Sequence, residues 1–82
     1  MMMNLMDKLK DGKIITVFEF HKKTKNMVQF RETDRFDDDK AIRVLYIKLK
    51  LMEQLGMPKF VRVEVTPISR SEAKEWMLRE SK

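Results

Sequence analysis

The sequence predicts a small single α+β domain of order α-β-β-α-β-α, with a three-stranded sheet packed on one long helix and short helices at both ends. Three observations point there. Residues 13–20 are rich in β-branched and aromatic residues, and apolar and polar residues alternate over 26–33 and 59–66, both signatures of strands. Residues 38–55 carry apolar residues at helical spacing and end in Gly56 and Pro58. A chain of 82 residues, 43% of them hydrophobic and only two of them glycine, has the composition of one folded domain, 1–82.

Residues 4–11 read as a short helix. Asn4 caps it, Leu5, Met6 and Leu9 form its apolar stripe, and Gly12 sits where a left-handed C-terminal cap belongs. The first two strands follow. Ile14, Ile15, Thr16, Val17, Phe18 and Phe20 make one, and Val28 and Phe30 alternate with Gln29 and Arg31 in the other. Only His21 to Lys25 separate them, so an antiparallel hairpin is the economical connection, with Asn26 at a positive-φ position.

Residues 38–55 carry two patterns. Ile47-Lys48-Leu49-Lys50-Leu51 alternates like a strand. Against that, Asp37, Asp38 and Asp39 stand where carboxylates favour the start of a helix, and Ile42, Leu45, Leu49 and Met52 share one helical face. Length favours the helix. The third strand, Phe60 to Val65, puts Val61, Val63 and Val65 on one side, expected to meet the long helix in a right-handed crossover. Ser69 to Glu72 then matches a capping box before a last helix over 70–80, whose Trp76 is expected to anchor the core. The core of the domain falls within 13–66.

Eighteen basic and thirteen acidic residues leave a charge of +5, a mild preference for anionic partners. The absence of cysteine excludes disulfides and thiolate metal sites. Met1 to Met6 is shorter than a signal-peptide core, and no apolar stretch approaches the ~18 residues of a membrane span. The chain therefore reads as a soluble, cytoplasmic protein.

No catalytic constellation is visible, so no enzymatic activity is expected. His21, the sole histidine, sits beside lysines without an assignable nucleophile or orienting acid, and a solvated turn residue explains it. Asp34, Asp37, Asp38 and Asp39 are hard oxygen donors, but they lack the glycine and closing glutamate of a calcium loop. A helix-capping cluster explains them more simply. Gly12 and Gly56 are isolated, so no phosphate-cradling loop exists. No cofactor or metal is expected.

Two binding classes remain. A protein-interaction module, acting as a regulator or inhibitor of a macromolecular partner, would use a sheet edge or an exposed helix face, and self-association would suit so small a chain. The eight methionines supply adaptable apolar surface for it. A nucleic-acid-binding module would use Lys22, Lys23 and Lys25 at the hairpin tip with Arg31, Phe60 and Arg62 on a sheet face, Phe18 and Phe20 being either part of that face or core. Mixed-sign charge and the lack of nucleic-acid-binding signatures favour the first. In element order and size, residues 13–66 also resemble several small phage-encoded proteins that bind and inhibit host machinery, without a shared residue motif. That resemblance implies a binding role and nothing about residues.

Overall fold

A computed structural model describes residues 4–80, with no account of the Glu80 side chain. Asn4 caps a single 3-10 turn, Leu5–Lys8, through a reciprocal pair with Asp7: each backbone N–H donates to the other's side chain at 3.2 Å. Strand β1, Leu9–Lys10, follows, then β2, Lys13–Lys23, and β3, Met27–Glu32. After a 3-10 turn at Asp37–Asp39 come β4, Val44–Lys48, helix α1, Leu49–Gln54, strand β5, Phe60–Val65, and helix α2, Arg70–Glu80.

All five strands pair antiparallel in one sheet. The long β2 is its spine. Along one edge β2 pairs with β1 near its start and β3 near its end, and along the other with β5. Strand β4 adds to the far side of β3, so β4 and β5 are the outer strands.

Several expectations are corrected. The long helix over 38–55 does not form: its middle is β4, and only six residues of α1 follow. The cause is tertiary. Strand β3 exposes a ladder edge, and Val44 to Ile47, rich in β-branched and aromatic residues, pairs with it so that Leu45 and Ile47 meet Phe30 and Val28. Arg43, at φ 84°, breaks any helix entering from the aspartates. The sheet therefore has five strands, not three, and its strands β3 and β5 run parallel but flank β2 instead of joining through a helix. The resemblance to phage-encoded proteins rested on the hairpin-helix-strand order and goes with it.

The first helix is also absent. Asp11 and Gly12, at φ 54° and 77°, instead turn β1 into β2, the two-residue positive-φ hairpin that Asp-Gly favours over a helix cap. The β2–β3 hairpin forms as expected, but its turn is closed by Thr24, whose hydroxyl accepts from Met27 N–H at 3.2 Å, and Asn26 has no positive φ. Gly56, at φ 84°, does end α1.

Side-chain alternation gives the sheet a covered and an open face. Phe18, Val28, Phe30 and Met52 are fully buried on the covered side, flanked by Phe20, Leu45, Ile47, Leu49, Val61 and Val63. Met52 reaches this core from α1. Phe20 meets Phe30 edge-on at 6.3 Å. Trp76 does not join them: it is 57% exposed, and among the described residues α2 makes no extensive contact with any other element.

Candidate functional site

Three constellations stand out: a buried ionic latch, the open sheet face with its basic end, and helix α2.

Glu32 closes β3 on the covered face, where its side chain is sealed from solvent. Its Oε2 accepts from Lys8 Nζ at 2.5 Å, Thr16 Oγ1 at 2.7 Å and Ala41 N–H at 2.9 Å, while Oε1 accepts from the N–H groups of Ile42 and Arg43, both at 2.5 Å. Lys8 also pairs with Asp34. Burial opposes charge on Glu32, but the Arg43 N–H, Lys8, Thr16 and Ala41 outweigh it and hold the carboxyl at about 2. Burial likewise opposes charge on Lys8, and Asp34 and Glu32 together raise it above its usual 10.5. Every acceptor position of Glu32 is engaged within the chain. The latch fixes the 33–43 loop to the sheet and leaves no free group for chemistry.

The open face carries Val17, Glu19 and Lys22 on β2, Gln29 and Arg31 on β3, Val44, Tyr46 and Lys48 on β4, and Phe60, Arg62 and Glu64 on β5, as the strand register dictates. A β-bulge at His21 decides one of these places. Phe20 pairs with Phe30, but Lys22 and not His21 pairs with Gln29. Lys22 thereby stands on the open face. Tyr46 and Phe60 are more than half exposed there.

Of the residues singled out in the sequence, Lys22, Arg31, Phe60 and Arg62 share this open face, while Lys23 and Lys25 stand at the adjoining hairpin tip. Phe18 and Phe20 belong to the core instead. Arg62 is partly neutralised by Glu64 at 3.3 Å. Sequence reasoning put Gln29 on the same face as Arg31 without giving it a role, and missed Lys48, Lys50 and Tyr46. With 42–51 read as helix, nothing placed them beside the hairpin. In fact Leu49 N–H donates to the Asn26 carbonyl at 2.9 Å, and Lys25, Lys48 and Lys50 line one open cleft of about 640 Å³.

The aspartates do not cap a helix. Asp37 pairs with Lys40 at 3.3 Å and Arg43 at 3.7 Å, and among the described residues no group of His, Cys, Asp or Glu is placed to hold a metal ion. Nor is any described helix long and apolar enough to cross a membrane. No family model, curated protein or solved structure matches this chain. The functional reading therefore rests on the geometry alone.

Helix α2 is the third feature. Ser69 caps it, accepting from Glu72 N–H at 3.1 Å. Ala73 is half-buried, whereas Trp76 and Leu78 are 57% and 72% exposed. Arg79 lies over the Trp76 ring at 5.1 Å and covers part of one face.

Proposed function

We propose that this protein is a non-enzymatic, cytoplasmic protein-interaction module that docks through α2, its first partner being a second copy of itself, and so regulates the macromolecule it joins. One observation carries the reading: α2 presents Trp76 and Leu78 to solvent while packing extensively on no other element among the described residues. An 11-residue helix is marginal in water on its own and gains its stability from a packed face. Four fully buried hydrophobic side chains among the described residues are also a small core, and association is the usual remedy. Two copies supply each other's missing surface without requiring any other molecule.

Sedimentation of the full chain from 5 µM to 1 mM tests this. The expected result is a mass rising toward the dimer, with Trp76 emission shifting to shorter wavelength as the ring leaves water. A chain carrying both Trp76→Ala and Leu78→Ala should stay monomeric, and its thermal midpoint should not rise with concentration as the wild type's does. A wild-type chain that remains a monomer throughout, with Trp76 emitting as in water, would overturn the reading.

A further inference from the structure

The ion pairs of the described residues are unevenly placed. Lys8, Lys13, Lys40, Arg43 and Arg62 all have acidic partners, and none of these pairs lies at the end of the sheet formed by the β2–β3 turn, the close of β4 and the start of α1. That end gathers Lys22, Lys23, Lys25, Lys48 and Lys50, all exposed and without an ionic partner. Glu53 is the one carboxylate lining the cleft among them. The acidic run Asp34 to Asp39 lies at the opposite end, in the loop between β3 and β4. A lysine cluster held together against its own repulsion, with one carboxylate beside five lysines, suits a polyanion.

Beside this cluster the open face offers more than charge. Gln29 is 7% exposed, and its Oε1 has no hydrogen-bond partner. Its cross-strand neighbours are Lys22 on one side and Tyr46 on the other. That oxygen is sealed as it stands, and an unengaged buried carbonyl is costly, so a Gln29 side chain that turns outward to an amine arriving with a ligand gains the partner it lacks. Tyr46 supplies an exposed ring within one strand spacing of it.

We propose that this end of the sheet binds single-stranded nucleic acid, with phosphates on Lys22, Lys25, Lys48 and Lys50, a base stacked on Tyr46, and an exocyclic amine donating to Gln29 Oε1. Stacking on a ring tolerates many bases, whereas a duplex hides its base faces, so single strands are preferred. The site shares no residue with α2 and stands or falls separately from the docking role proposed above.

The test is fluorescence anisotropy of labelled 20-nucleotide DNA and RNA single strands, and of the matching duplex, titrated with the full chain at 50 and 200 mM salt. Micromolar binding of single strands that weakens about 20-fold or more between the two salts is expected for three to four phosphate contacts. Lys25→Glu with Lys50→Glu should weaken binding at least tenfold, and Tyr46→Ala about tenfold with its salt slope unchanged. The thermal midpoint should hold in each, since these side chains are exposed. A charge-matched control, Lys10→Glu with Lys74→Glu, should lose far less. Equal loss in the control would mean that net charge alone acts, and would overturn the site. So would duplex binding as tight as single-strand binding with Tyr46→Ala silent, equal binding to anionic phosphatidylserine vesicles, or no binding at 50 mM salt.

Discussion

Lys8 Nζ lies 2.5 Å from Glu32 Oε2, with the two side chains 4% and 0% exposed, although twenty-three residues separate them in the chain. The pair ties the 3-10 turn before β1 to the end of β3. Through Ala41, Ile42 and Arg43 the same carboxylate also holds the loop leading into β4. A single side chain thus joins three segments that the sheet ladder alone leaves loose.

Glu32→Gln should accordingly be among the most damaging conservative changes. It leaves Lys8 without one of its two anions and weakens three backbone contacts, and breaking a buried pair from one side costs about 3 to 5 kcal/mol. Urea unfolding measures it as a lowered midpoint. Replacing Lys8 as well, with Met, should cost less than the sum of the two single changes, because the stranded charge is then gone.

Acid stability should follow the same group. The Glu32 carboxyl falls from 4.5 to about 2 on folding, so the unfolded chain binds the proton more tightly. Its contribution is complete above pH 4.5 and lost progressively as pH falls through 2. Lys8 works in the other direction: with its folded value raised, its contribution is complete below pH 10.5 and disappears as pH rises beyond that. Thermal midpoints measured from pH 2 to 6 should drop steeply on the acid side in the wild type and less steeply in Glu32→Gln.

Residue 43 separates the strand from the helix that the sequence suggested. In a helix over 38–55, Arg43→Gly would cost about 1 kcal/mol. In the structure Arg43 sits at φ 84°, where glycine is at ease, and the N–H that serves Glu32 survives the change. Arg43→Gly is therefore expected to be neutral or to stabilise by up to about 1 kcal/mol, read from the same urea transition.

The misreading at this segment has a physical source. Leu45, on β4, and Leu49 and Met52, at α1, meet the same core, and their spacing happens to coincide with one face of a continuous helix. The alternation read over Ile47 to Leu51 falls mostly in α1, and choosing a strand at Val44 to Lys48 required knowing that β3 lacked a partner. That is a long-range fact. The β2–β3 hairpin, β5 and α2 were legible because their signals are local: period-two runs, a short connection, the Ser69 cap. Arg31, Phe60 and Arg62 were read onto strand faces by alternation, which is local, whereas Lys22, read at the hairpin tip, reaches the open face only through the bulge at His21. Lys48 and Lys50 joined the hairpin lysines only once β4 paired with β3. The five-fold engagement of Glu32 leaves no periodic trace at all.

Met52 gives a sharper check on the covered face. It is fully buried, whereas Leu51 and Leu55, its neighbours in and after the same short helix, are 60% and 67% exposed. Met52→Ala should cost about 2 to 5 kcal/mol, with the cavity opening against Phe18 and Phe30. Leu51→Ala and Leu55→Ala should each stay within about 1 kcal/mol. Three guanidinium melts compare them directly, and equal losses would mean that α1 does not present Met52 alone to the core.

The bulge at His21 makes the final prediction, and it is one of sign. His21 is the extra residue between the Phe20–Phe30 and Lys22–Gln29 pairs, so deleting it closes the ladder without moving either pair. The shortened chain should fold with stability within about 1 kcal/mol of wild type and keep Lys22 beside Gln29. Deleting Glu19 removes a residue from within the regular ladder instead. Phe18 and Phe20 then become neighbours and cannot both face the core, a loss of about 3 kcal/mol or more. Near-ultraviolet circular dichroism and urea midpoints of the two deletions, measured side by side, decide it: similar damage from both would mean that the strand holds no bulge at His21.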